Sequence, residues 1–329
     1  MQRLAKASLM MISAVIVLLG TSPAQATFRG DNGSIAFYAN RGDHPATQIY
    51  AIAAAGTRLR KLTDVGPTSA FHEDWSPDGT KIVFEIDPDA NGGNAVEIMN
   101  ADGTGVRDLT GARNACEFEP SFTPDGNRIV FMHFRGQCGN KRNERRTQIW
   151  SMNLHGKDRH KISGVPGVAA LDPNVSPDGK RISFVVERSQ DLQGGALFIV
   201  NMNGNDLHRI VPYGRDVGIK HDWSPDGSRI VFTEYLDYNQ EGALSGPHTP
   251  NVATVEPDGS DLVELTHRTG TNAEAIAGSY SPDGRWIVFR FDDYDRFRLM
   301  KMRPDGTDKT LIRRMRLKQR GMDWGPKPS

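Results

Sequence analysis

Ahead of four similar turn sequences the chain carries pairs of residues able to do chemistry. His72-Glu73 precede Asp74-Trp75, Glu119-Pro120 precede Ser121-Phe122, Asp172-Pro173 precede Asn174-Val175, and Lys220-His221 precede Asp222-Trp223. Imidazole and carboxylate groups brought together can relay a proton, hold a divalent cation or bind a polar group of a partner. Asp74, Ser121, Asn174, Asp222, Ser279 and Asp323 recur at one place, next to the aromatic or apolar turn residue, and all six are small and polar. That recurrence fits ligand contact around a common opening. It also fits side chains that bond neighbouring backbone and tie repeated units together. The pairs before them differ from copy to copy, as an asymmetric ligand requires. The candidate ligand-binding residues are therefore His72, Glu73, Asp74, Glu119, Asp172, His221, Asp222 and Asp323, with none assigned a catalytic role. No cofactor is expected. A divalent metal is a secondary reading, because ligand spacing would come from the tertiary arrangement and not from a local motif.

The elements that position these residues are turns and strands. Trp75-Ser76-Pro77-Asp78-Gly79 runs into Lys81-Ile82-Val83-Phe84, and copies begin at Phe122, Val175, Trp223 and Tyr280. Pro presets φ at the second turn position, Asp suits the third, and Gly takes the left-handed conformation that closes a hairpin. A second turn follows each first, as in Ala101-Asp102-Gly103-Thr104 and Pro304-Asp305-Gly306-Thr307, and the next short strand ends in a pair such as Leu109-Thr110 or Leu311-Ile312. Each unit is four antiparallel strands. The unit recurs at about 47 to 57 residues, the range of propeller blades.

The two ends are incomplete in complementary ways. Ile35-Ala36-Phe37, Gln48 to Ile52 and Leu62-Thr63 supply second, third and fourth strands without a first. Met322-Asp323-Trp324-Gly325-Pro326 supplies a first strand with nothing after it. If the C-terminal strand completes the N-terminal blade, the array closes and loses its exposed edges. The expected fold is all-β: a six-bladed β-propeller over residues 27–329.

The motif Ser-Pro-Asp-Gly-x-x-Ile-Val-Phe, with Asp-Gly-Thr in the second hairpin, resembles the WD40-like repeat of the TolB-type β-propeller family, across essentially all of residues 27–329. The resemblance implies the propeller fold and says little of activity, since propellers host many functions. True TolB, of the Tol–Pal envelope system, carries an α/β domain before its propeller. Here the repeats begin almost at the expected cleavage site, so the chain reads as a propeller-only member lacking that N-terminal domain.

Residues 1–26 read as a secretory signal peptide. Arg3 and Lys6 form the positive start, Leu9 to Leu19 the apolar core, and Ala24-Gln25-Ala26 the cleavage site. No transmembrane segment is expected once it is removed. The whole chain has 40 basic and 40 acidic residues, and without Arg3 and Lys6 the balance is 38 to 40. Such a balance gives no long-range pull on nucleic acid. Export makes Cys116 and Cys138, the only cysteines, a candidate disulfide, since both flank the open end of the hairpin turning at Pro124-Asp125-Gly126. Two free thiols are the other reading.

Both turns of each blade fall at one end and are uniform. The connections at the other end vary, longest at 135–147 and 234–250, and that end is assigned as the binding face. It includes the basic stretch Lys141-Arg142-Asn143-Glu144-Arg145-Arg146, either a solvated loop or a docking patch for an acidic partner. Arg313-Arg314-Met315-Arg316 to Lys318 reads first as protection of an outer strand. No Gly-x-Ser-x-Gly elbow, His-Glu-x-x-His or phosphate-binding loop occurs. The reading is a periplasmic or secreted, monomeric, non-enzymatic binding propeller that receives an envelope or extracellular protein, or a small polar ligand, at its channel mouth. The alternative is a metal-assisted polyuronate lyase or hydrolase using the His and carboxylate groups of that mouth.

Overall fold

In the computed structural model the described residues are 30–40, 46–87, 93–111, 115–136, 138, 147–163, 169–187, 195–235, 249–267, 273–293 and 296–328. The expected signal segment and most of the long connections, including 141–146, lie outside them.

The described strands form six four-stranded antiparallel sheets, the blades of a propeller. Blade 1 is β1 (Asn32–Ala39), β2 (Gln48–Ala53) and β3 (Arg60–Lys61), with β24 (Arg320–Pro326) as its innermost strand. Blade 2 is β4 (Ser69–Trp75), β5 (Lys81–Asp87), β6 (Ala95–Asn100) and β7 (Arg107–Asp108). Blade 3 is β8 (Ala115–Phe122), β9 (Arg128–Arg135), β10 (Gln148–Asn153) and β11 (His160–Ser163). Blade 4 is β12 (Ala169–Val175), β13 (Arg181–Glu187), β14 (Gly195–Asn201) and β15 (His208–Val211). Blade 5 is β16 (Val217–Trp223), β17 (Ile230–Tyr235), β18 (Pro250–Val255) and β19 (Val263–Glu264). Blade 6 is β20 (Ala273–Tyr280), β21 (Ile287–Asp293), β22 (Arg296–Met302) and β23 (Thr310–Met315).

The C-terminal strand closes the ring as expected. β24 pairs with β1 in the register Ile35↔Trp324 and Ala36↔Asp323. Second strands read as unbroken apolar runs because both faces of each blade are covered by neighbouring blades. Ile82, Val83 and Phe84 are fully buried, as are Ile129, Val130 and Phe131 and their counterparts Ile230, Val231 and Phe232. The Ser-Pro-Asp-Gly turns close as their chemistry demands. Asp78 Oδ1 accepts from the Ser76 hydroxyl and the Thr80 amide, while Ser76 Oγ accepts the Lys81 amide.

The second turns lock adjacent blades. A Cβ on Gly103 would meet the Leu62 carbonyl of the preceding blade at 2.5 Å, and one on Gly56 would meet the Ile312 carbonyl at 2.3 Å. This sets the correct alignment of the last blade. Ile312-Arg313, not Leu311-Ile312, occupies the place of Leu62-Thr63, a shift of one residue from the sequence reading.

Candidate functional site

The innermost strands carry the candidate residues, and each strand is interrupted by a β-bulge. On β4, Phe71 pairs with Glu85 and Asp74 with Val83, so His72 and Glu73 together oppose Phe84 alone. The same two-against-one arrangement places Glu119-Pro120 opposite Phe131 and Asp172-Pro173 opposite Phe184. Three of the four residue pairs singled out by their divergence are therefore bulge pairs, whereas in the fourth, Lys220-His221, His221 stands in register opposite Phe232. A bulge re-aims side chains and sharpens the local twist. His72, Glu119 and Asp172 take left-handed backbone, with φ of 51°, 49° and 52°. Gly321 does the same on β24 with φ 61°. Three non-glycine residues held there in consecutive blades are strained, and such strain gathers at functional positions.

The bulges surround a small central chamber. It is lined by Tyr38, His72, Glu73, Asp74, Pro120, Ser121, Asp172, Asn174, Lys220 and Gly321, with a volume of about 40 Å³. That is room for a few water molecules or the tip of one side chain. Of the expected residues, His72, Glu73, Asp74 and Asp172 line it, whereas Glu119, His221, Asp222 and Asp323 stand behind.

Behind the wall runs a bonded network. His72 Nδ1 lies 2.7 Å from Glu85 Oε2, and that oxygen also accepts the Glu119 amide at 3.1 Å. Glu85 Oε1 accepts from the Asn94 side chain. Glu119 Oε2 accepts the Asp172 amide at 2.6 Å. Asp172 Oδ2 accepts the His221 amide at 3.1 Å and lies 3.0 Å from its Nδ1. His221 Nε2 is 2.8 Å from the Ser183 hydroxyl, and the imidazole is fully buried. His221 is thus a wall residue and not a rim residue.

The recurrent small polar residues join blades. Asp74 Oδ2 accepts the Phe122 amide, Asp222 Oδ2 the Tyr280 amide and Asp323 Oδ2 the Trp75 amide, at 2.8, 2.8 and 2.9 Å. Ser279 Oγ accepts the Trp324 amide, and Asn174 donates to the His221 carbonyl.

Charge in the chamber is shaped by burial and by proximity. Burial would lower the His72 pKa, but the hydrogen bond and charge of Glu85, with Glu119 and Asp172 beyond, push it up to about 9. Burial raises Glu119 to about 8 against the pull of the His72 charge. It raises Asp222 to about 8 against the pull of Lys220. Burial would lower Lys220 as well, yet Asp323, Asp172, Asp74 and Asp222 hold its ammonium well above its ordinary value. Asp172 stays below the usual carboxylate range despite burial, because His221 lies against it. Glu73 has no such partner. It is 2% exposed, neither of its oxygens has a hydrogen-bond partner, and burial lifts its pKa well above the usual range. The surroundings favour the charged forms of His72, Lys220 and Asp172, while burial favours the neutral forms of Glu73 and Asp74. Among the described residues no three His, Cys, Asp or Glu side chains are disposed to hold a metal ion.

Sequence reasoning missed Glu85 and Tyr38. Both follow the second-strand phenylalanine, at the place of Met132 and Val185 in other blades. A charged side chain inside an otherwise apolar buried run was the available signal. Cys116 and Cys138 form a disulfide, and the Asn94 amide donates to Cys138 Sγ at 2.9 Å. Asn94 thereby connects the disulfide to Glu85.

A closed six-bladed ring of four-stranded sheets with a polar chamber at its centre defines a β-propeller. The chain belongs to the TolB β-propeller domain family, whose model matches residues 96–326. No curated protein matches it in sequence. Among solved structures it is similar to TolB from Acinetobacter baumannii, at 19% identity and TM-score 0.68, over 90% of this chain and 67% of that one. It is similar to putative TolB from Agrobacterium tumefaciens, at 16% identity and TM-score 0.62, over 88% and 91%. It is also similar to an oligogalacturonate lyase in complex with manganese, at 13% identity and TM-score 0.54, over 88% and 75%. Identities this low speak to the fold alone. No helix among the described residues is long and apolar enough to cross a membrane.

Proposed function

We propose that this protein is a non-catalytic binding propeller of the bacterial envelope or extracellular space, whose central chamber receives a polar side chain of a protein partner or a small polar ligand. The observation that carries the reading is Glu73. A buried carboxyl with no partner costs free energy that only a bound group or ordered water recovers. It lies on the chamber wall with Ser121 Oγ and Asn174 Oδ1, which are likewise buried without a hydrogen-bond partner, and the strained bulges beside it hold the wall in place. Family membership and the charged, apolar and small-residue zones of residues 1–26 support export. The chamber volume supports entry of a side-chain tip and not of a sugar ring.

The second reading is the metal-assisted polyuronate lyase, favoured by the likeness to a manganese-bound lyase. The donors found here do not fit it. His72 is committed to Glu85 and His221 to Ser183 and Asp172.

The test compares the wild type with Glu73→Gln and Lys220→Met in capture of proteins from an envelope extract. Partners held by the wild type should be lost from both variants, with melting little changed for Glu73→Gln and lowered for Lys220→Met, which takes the cation from among four carboxyls. Capture unaffected by either substitution would place the site elsewhere. Release of unsaturated sugars from polygalacturonate by the wild type would establish the lyase instead.

A further inference from the structure

The outer strand of blade 6 departs from the other five. Outer strands are two residues long in blades 1, 2 and 5 and four in blades 3 and 4, but β23 has six. In three blades a side chain limits the outer strand. In blades 1, 2 and 5 the outer-strand leucine is followed by Thr63, Thr110 or Thr266, whose hydroxyl accepts the third-strand amide of Ile49, Val96 or Val252 at 2.9 Å. That side-chain bond competes with the ladder and ends the strand. Arg313 takes this place in blade 6, opposite Leu299, and has no hydroxyl to offer. Here pairing continues, Arg298 with Arg314 and Phe297 with Met315, whereas in blade 4 it stops at Val211, before Pro212.

The extension creates a basic edge. Arg298 and Arg314 lie directly opposite one another, a juxtaposition of like charge that is destabilising unless an anion joins it. Among the described residues Arg298 lies over the Phe291 ring and reaches one carboxylate, Asp293, at 3.5 Å. Arg314 and Arg316 are exposed, and neither enters an ion pair among the described residues. Leu311 beside them is 44% exposed. Blade 1 fixes the middle of the strand, since Arg313 donates to the Gly56 carbonyl and Gly56 packs on Ile312. Beyond that point Met315 stays buried in the core shared with blade 1, while Arg314 and Arg316 on either side of it are exposed.

We propose that this edge is a docking surface for an extended acidic segment of a partner protein. The segment lies along β23 as an added strand, with Asp or Glu at alternate positions facing Arg298, Arg314 and Arg316. Main-chain groups of an edge strand supply the bonds. The arginines supply the choice of partner. They also exclude the edge of a second copy, which would set arginine against arginine. The surface is on the outer rim of blade 6, so it stands or falls separately from the chamber.

The probe is a synthetic peptide of about ten residues alternating Glu and Val, blocked at both ends, titrated with the whole chain and followed by fluorescence anisotropy. Binding is expected, and it should weaken with added salt. Arg314→Glu combined with Arg316→Glu should weaken it about tenfold or more, whereas lysine at both positions should largely preserve it. N-methylation of alternate peptide amides should weaken it as much as charge reversal does. Glu73→Gln should leave it unchanged. Undiminished binding of the N-methylated peptide would reduce the edge to a charge patch and overturn strand docking. Undiminished binding by the charge-reversed chain, or no binding at millimolar peptide, would overturn the site.

Discussion

Asp323 Oδ2 accepts the backbone N–H of Trp75 at 2.9 Å, across 248 residues of sequence. The bond joins the C-terminal strand to the second blade. It is one of a series in which a small polar side chain of one blade holds the turn amide of the next, as Asp74 holds Phe122 and Asp222 holds Tyr280. The same carboxylates surround Lys220. The scaffold of the ring and the polarity of its centre are therefore built from one set of residues.

Asp323→Ala leaves the Trp75 amide buried without an acceptor. The expected loss is about 1–3 kcal/mol. Asp323→Asn retains an oxygen at the same place and should lose less. Thermal melting of the two variants checks this, and equal losses would show that the charge of Asp323 matters more than its acceptor. Deletion of residues 322–329 should be far worse, because Trp324, 3% exposed, leaves the core together with the closing ladder.

Stability should fall as pH rises from mildly acid to alkaline. Glu119 has its pKa raised from 4.5 to about 8, so the fold binds its proton more tightly than the unfolded chain does. That contribution is full below about 4.5 and is lost as pH rises through 8. His72, raised from 6.5 to about 9, contributes fully below 6.5 and loses its contribution as pH passes 9. Melting temperatures between pH 5 and 9 should decline for the wild type. Glu119→Gln should flatten the lower part of the curve, and an unchanged slope would contradict the assignment.

Replacing Cys116 and Cys138 together by Ala opens a loop with a sequence separation of 22. The chain-entropy argument gives a cost of about 3 kcal/mol. Chemical denaturation of the double variant measures it. The unfolded, unreduced wild type should show no reactive thiol, and two would refute the bridge.

Glu85 holds His72, the Glu119 amide and Asn94 at once. Glu85→Ala should cost about 1–3 kcal/mol through the buried groups left unpaired. Glu85→Gln retains bulk and polarity but removes the charge that supports the protonated imidazole. The His72 titration followed by NMR should then move toward its ordinary value. No movement would show that Glu119 and Asp172 suffice.

The sequence determined the architecture because the repeat is local. Pro, Asp and Gly at fixed turn positions, and apolar runs between them, specify a hairpin from a few neighbouring residues, and complementary half-blades at the two ends imply closure. It also marked His72-Glu73, Glu119-Pro120 and Asp172-Pro173 as divergent. That those pairs form bulges, that His221 faces Ser183 and Asp172 inside the wall, and that Glu85 rather than a more distant acid holds His72 were decided by the tertiary structure. Which side chains meet across the channel depends on how far each bulge turns its strand and on the distances set by ring closure. Those quantities arise only when all six blades are packed, so no local stretch of sequence encodes them.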